Sequence, residues 1–235
     1  MCNSLNGKSH SEDRFPHREL VGITGNPLKW RHTMNLDAYP KEIVLKDGSA
    51  LTLRPMVKED EPGLMEFFAA IPEEERLYLR NDVINPEVIR YWVENLDYDR
   101  VLPILAIDEK KRIVGNATLH SGGNSWARHI GSIRLTVHPE YRRHGLARIL
   151  VGELYTNAQT TDLEKIVAEI VFIQEDVRLA FNQLGFRTEA VLKEHHLDPK
   201  GKKHDVIIIS NDITQLWKMW LEQCESVSGV LQKEY

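Results

Sequence analysis

The 235 residues are 42% hydrophobic, enough to bury one sizeable core, and their 30 Lys and Arg against 35 Asp and Glu leave a formal charge of −5, so no global basic field recruits nucleic acid. Cys2 and Cys224, at opposite ends of the chain, exclude a disulfide framework and supply no CxxC for zinc or redox chemistry, which fits a reducing compartment. The first twenty residues lack the apolar core of a signal peptide, and no stretch approaches about 18 uncharged apolar residues, so the expectation is a cytoplasmic protein with no membrane partner.

Residues 1–41 are polar and aperiodic, the pattern of a loosely ordered N-terminal arm. A mixed α/β domain is expected over 42–210. It opens with a strand over 49–55 and a helix over 59–70 whose apolar side carries Leu64, Met65, Phe67 and Phe68. Asn85 as N-cap and Pro86 at the first helical position then start a helix with the stripe Ile89, Trp92, Val93 and Leu96. Strands over 102–108, 112–120 and 129–138 follow, and their short connections predict an antiparallel meander. Next come a helix over 145–159 and a strand over 165–173 whose near-continuous apolar run suits burial on both faces. A helix over 175–184 stops at Gly185, and strands over 186–195 and 204–210 form a closing hairpin. Over 211–235, Asp212 and Gln215 resemble a capping box. Ile213, Leu216, Trp217, Trp220, Leu221, Cys224, Val227 and Leu231 then recur at spacings of three and four. That tail is expected to be an amphipathic helix, packed on its own domain or forming a homodimer contact.

The chemistry concentrates where the strand over 129–138 gives way to the helix over 145–159. Arg142, Arg143, His144 and Arg148 crowd the start of that helix, whose first N–H groups have no carbonyl partner within it. Unpaired N–H groups and the helix dipole together bind phosphate, and Gly145 lets backbone approach it closely. The loop is neither Walker A nor GxGxxG, so a pyrophosphate is indicated without a nucleotide being specified. A strand–turn–helix with a solvated basic face is the bland alternative.

The stretch VHPEYRRHGLARILV resembles the acyl-coenzyme A signature of the GNAT acyltransferase superfamily, Arg/Gln-x-x-Gly-x-Gly/Ala, met here by Arg142, Gly145 and Ala147. The order of elements over 49–210 is also similar to that family's, down to the Leu184-Gly185-Phe186 that ends a helix. The resemblance implies a GNAT acyl-CoA fold, with a central, mostly antiparallel mixed sheet flanked by helices. It also implies one strand splayed from its neighbour after Val137. It further implies that backbone groups of Leu135, Thr136 and Val137 hold the pantetheine arm. The pyrophosphate would rest on Arg143, His144, Gly145, Leu146, Ala147 and Arg148, with Val137 N–H as the oxyanion donor. The co-substrate implied is acetyl-CoA and the reaction N-acetylation of a primary amine.

A general base helps the amine lose its proton. The glutamate common on the family's signature strand is absent, since its places hold Gly131 and Ser132. A second pattern, seen in the ribosomal-protein alanine acetyltransferases, nominates Glu169 as base. It puts Gln174 in place of an Asn and Phe181 in place of a proton-donating Tyr. A carboxylate in an otherwise apolar strand needs a partner, water or a cleft, so a structural ion pair competes with the role of base. His195, His196, His204, Asp198 and Asp205 match no zinc spacing, and no metal is expected. His120 and Tyr98 are further cleft candidates. Residues 71–83 occupy the place of the family's acceptor-binding loop, with a solvated connector as the alternative reading. The N-terminal half is loosely similar to bacterial protein-lysine acetyltransferases, which makes a protein lysine one candidate acceptor beside small-molecule amines. A non-catalytic acyl-CoA-binding regulatory module is the rival from another class.

Overall fold

A computed structural model describes residues 36–121 and 126–213. Of the expected arm over 1–41, residues 1–35 lie outside the described residues, while Leu36–Ala38 form a 3-10 turn; of the tail helix expected over 211–235, residues 214–235 lie outside, and 211–212 end the last strand. The described strands form one eight-stranded sheet in the order β1-β2-β3-β4-β5-β6-β8-β7. They are β1 (Lys41–Val44), β2 (Ala50–Pro55), β3 (Val101–Asp108), β4 (Ile113–His120), β5 (Ile130–Val137), β6 (Lys165–Val171), β7 (Arg187–Leu197) and β8 (Lys203–Asp212). The helices are α1 (Glu61–Ala69), α2 (Glu73–Arg76), α3 (Pro86–Glu94), α4 (Leu146–Ala158) and α5 (Glu175–Gln183). All pairings are antiparallel except β5 with β6, which is parallel. No helix among the described residues is long and apolar enough to cross a membrane.

Two apolar clusters cover the sheet, one per face. On one, Leu146, Leu150, Val151 and Leu154 of α4 pack on Ile104, Ala117, Leu119, Ile133 and Ile166. Gly115 sets that approach: a Cβ there would stand 2.9 Å from Leu150 Cδ1 and 3.3 Å from Leu146 Cδ2, so the helix lies almost on the β4 backbone. On the other face, Leu64, Phe67 and Phe68 of α1 and Ile89 and Val93 of α3 enclose Leu105 and Ile113. The Asn85 side chain caps α3 by accepting from Glu87 N–H, as its position before Pro86 predicts.

Strand β6 departs from the expected burial. Ile166, Ala168 and Ile170 are buried, but Lys165 and Val167 are only half-buried and Glu169 is exposed. One face of this strand is core; the other opens onto a cleft as far as Glu169 and is buried again at Val171. That cleft is spanned by the segment from α2 to Arg80. Arg76 donates to the carbonyls of Ala69 (3.2 Å) and Ile71 (3.0 Å), tying α2 to the end of α1. His196 Nε2 donates to Leu77 O at 2.9 Å, and the Tyr78 ring stands edge-on to His204 at 5.4 Å. The His204 ring is held by Asp198 Oδ2 at 2.8 Å, with both side chains buried.

Candidate active site

Strands β5 and β6 touch only over Ile130–Ser132 and Lys165–Val167. Beyond Ser132 they part, whereas β5 stays paired with β4 as far as Val137. The parting therefore begins at Ile133, four residues before Val137, not after it. The His138 N–H donates to Val114 O at 2.9 Å, so His138 faces β4. Alternate residues of a strand turn their backbone groups the same way, so Thr136 and Arg134 also face β4 while Leu135 and Val137 face the gap. Val137 O accepts from Arg142 Nε at 3.1 Å. The Val137 N–H and both backbone groups of Leu135 look into a space where β6 offers them no partner.

The chain leaves β5 through a short 3-10 turn (Pro139–Tyr141), anchored by the Tyr141 hydroxyl donating to Asp108 Oδ2 at 3.1 Å. Arg143 (φ 66°) and Gly145 (φ 93°) are both left-handed. Left-handed residues two apart turn the backbone sharply back on itself, and successive N–H groups in such a turn form the kind of concavity that seats an anion. Leu146 and Ala147 open α4 and add first-turn N–H groups to it. The turn between β1 and β2 closes one side: Lys46 N–H donates to His144 O at 3.3 Å, and the Lys46 side chain runs beside Gly145.

The four cations expected around this loop are not equivalent. The Arg142 guanidinium grips both oxygens of Glu75 in α2, at 2.8 and 2.7 Å, so it braces the segment over the cleft instead of pointing freely at a ligand. His144 Nδ1 pairs with Asp47 Oδ2 at 2.9 Å. The Ser49 N–H, first, and His144 hold the Asp47 carboxyl below its ordinary range. Arg143 and Arg148 are exposed.

On the cleft face the register places Thr118 opposite Arg134 and His120 opposite Ser132. Glu169 stands two residues beyond Val167, the partner of Ser132, and so next to Arg134 across the parting. Its carboxylate is ion-paired with Arg80. His120 shares a 3.1 Å hydrogen bond with the Thr118 hydroxyl. Burial first, then Arg134 and Arg80, push its pKa down to about 4, so it is neutral at neutral pH. Asn116, one row further along, is buried with its Oδ1 unpaired among the described residues.

The sequence model of the Acetyltransferase (GNAT) family matches residues 64–186, which include the parting, the loop and Glu169. The chain belongs to the GNAT acetyltransferase family. Solved structures share the fold. The GNAT-family acetyltransferase from Streptococcus pneumoniae is 19% identical with a TM-score of 0.60, over 69% of this chain and 99% of that one. The protein yncA from Salmonella typhimurium, solved with its cofactor acetyl-CoA, is 18% identical with a TM-score of 0.59, over 69% and 94%. A chimera of the spermidine N-acetyltransferase SpeG from Vibrio cholerae with hSSAT is 18% identical with a TM-score of 0.60, over 71% and 98%.

Within this GNAT fold, Leu135–Val137 and Arg142–Arg148 form one continuous edge along the parting, with Glu169 on the opposite strand. Two residues assigned with them lie elsewhere. Phe181 is 6% exposed and packs edge-on against Phe186 at 5.0 Å in the core beneath α5. Gln174 turns its Oε1 back to Val171 N–H at 3.3 Å, closing the bend after β6. Tyr98 donates to Met56 O at 2.6 Å, a structural tie. No three His, Cys, Asp or Glu side chains among the described residues gather as metal ligands. Sequence reasoning missed Arg80, Glu75, Lys46 and Arg134. The first two sit within residues 71–83, but their partners are 89 and 67 residues away.

Proposed function

We propose that this protein moves an acetyl group from acetyl-CoA to a primary amine at the parting of β5 and β6. The observation that carries the reading is the gap itself: parallel pairing stops at Ser132, and backbone groups of Leu135 and Val137 line a path to the left-handed loop at Gly145. A pantetheine arm carries amides that complement such a strand edge, and a pyrophosphate suits converging N–H groups at a helix start. Arg143–Arg148 hold the pyrophosphate through their backbone, with Arg143 and Lys46 beside it.

In the reaction the amine nitrogen bonds to the thioester carbonyl carbon, the C–S bond breaks, and coenzyme A leaves as thiolate. Val137 N–H donates to the carbonyl oxygen as negative charge builds there. Glu169, directly or through water, takes the proton the amine gives up. A thiol of pKa about 8.5 leaves readily, so a core phenylalanine at position 181 is compatible with the chemistry. The ion pair of Glu169 with Arg80 favours one second reading, a module that binds acyl-CoA without catalysis, because the carboxylate already has a partner.

The test is release of coenzyme A thiol against a panel of amines, amino acids and lysine peptides. Any acceptor that releases one thiol per acetylated product supports transfer and removes the module. Acetyl-CoA binding with no acceptor-dependent thiol across the panel overturns transfer.

A further inference from the structure

Arg134 is a second arginine on the cleft face and, unlike its neighbours, has no hydrogen-bond or ion-pair partner among the described residues. Its neighbours there are Thr118 on β4, Glu169 on β6 and, from the overlying segment, Arg80. Two guanidinium groups thus stand beside one carboxylate, and that carboxylate is bonded to Arg80 alone. His120 adds no positive charge at neutral pH. Arg134 is exposed on this open face. Partial desolvation, first, and then the like charge of Arg80 weaken its hold on its proton, against the pull of Glu169. An arginine on the open cleft face whose one neighbouring carboxylate is already bonded to Arg80 leaves that face with one positive charge in excess, a site suited to an anion.

The donor does not supply that anion. Its phosphates belong at Gly145, past the end of β5, and a pantetheine arm is uncharged. We infer that the acceptor is a primary amine carrying an anionic group close to its nitrogen, with Arg134 receiving the anion. The free cleft then reads as the complement of a zwitterion. The ammonium goes to Glu169, and the anion goes to Arg134 and to the Arg80 that Glu169 releases. A carboxylate suits the paired N–H groups of a guanidinium, and a phosphonate offers the same geometry. A polyamine would set like charge against both arginines.

This inference rests on the acyl-transfer reading, and the test separates the two. Thiol release by the full chain is measured with matched acceptors: an amino acid, its carboxamide, the aminophosphonate analogue and spermidine. A charge-assisted hydrogen bond is worth about 1.5–3 kcal/mol, so kcat/KM for the amino acid or the phosphonate exceeds that for the carboxamide ~10- to 100-fold. The preferred anion identifies its source. Arg134→Gln shrinks the ratio toward one, chiefly through acceptor KM, without changing the acetyl-CoA dissociation constant. Arg134→Lys, which keeps charge but not the fork, falls between. Equal rates for acid and amide, preference for spermidine or a basic lysine peptide, or an unchanged ratio in Arg134→Gln would overturn the inference while leaving acetyl transfer standing. No thiol release with any amine overturns the transfer reading and this inference with it.

Discussion

Replacing Glu169 by Gln keeps the side chain's size and one acceptor for Arg80 while removing the base. General-base catalysis contributes about 10²- to 10⁴-fold, roughly 3–5 kcal/mol of barrier. The structural cost is far smaller. The side chains of Arg80 and Glu169 are 55% and 43% exposed, a screened pair worth at most about 1 kcal/mol. Turnover should therefore fall at least ~100-fold while acetyl-CoA affinity is kept and the unfolding midpoint barely moves. Arg80→Gln breaks the same ion pair and should shift that midpoint by the same small amount. The pH profile separates base from strut. An alkyl amine of pKa about 10.4 is neutral in about one molecule per thousand near pH 7.4 but in about one per ten near pH 9.5. The deficit should be widest near neutrality and narrow as the amine sheds its own proton. Steady-state thiol release between pH 6.5 and 9.5 measures this. Wild-type turnover in Glu169→Gln across that range would remove Glu169 from the mechanism.

The folded pKa of His120, about 4, lies below its ordinary 6.5, so between these values the unfolded chain binds more protons. Stability from this group is whole above pH 6.5 and is lost as pH falls toward 4, by up to about 3 kcal/mol; urea melts should show that slope and His120→Asn should flatten it. Gly145→Ala meets open space, with Lys46 Cε 3.7 Å away, but holds an L-residue at φ 93°. It should cost about 1–2 kcal/mol in denaturant melts and weaken acetyl-CoA binding in a calorimetric titration. Gly115→Ala sets a Cβ 2.9 Å from Leu150 Cδ1 and 3.2 Å from Ala106 Cβ. Overpacking of this kind costs about 1–3 kcal/mol, and a thermal melt no lower than wild type would show that α4 is less closely seated than described.

Most of the fold was legible because its signals are local. The meander β3–β5, helix α4 and the β7–β8 hairpin each announce themselves through period, caps and turns within a dozen residues. The loop at Arg142–Arg148 was legible for the same reason, since strand end, glycine and helix start are contiguous. Strand β1 escaped because its four residues are mostly exposed and carry no apolar alternation, and α2 because it is one acidic turn. The apolar run of β6 suggested burial on both faces, but the parting from β5 leaves Lys165, Val167 and Glu169 on an open side. Phe181 matched a pattern by spacing alone, while its neighbour Phe186 shows that the position serves the core. The acceptor side was hidden for a further reason. Arg80, Arg134 and Glu169 come together only through the register of β5 with β6 and the path of the segment after α2.

A crystal structure with bound coenzyme A tests the account most directly. The pantetheine should run between β5 and β6 along Leu135–Val137, the pyrophosphate should sit on the N–H groups of Arg143–Arg148, and the thiol should lie beside Val137 N–H on the side of Glu169. Coenzyme A bound away from the parting, or a thiol remote from both Val137 and Glu169, would contradict it.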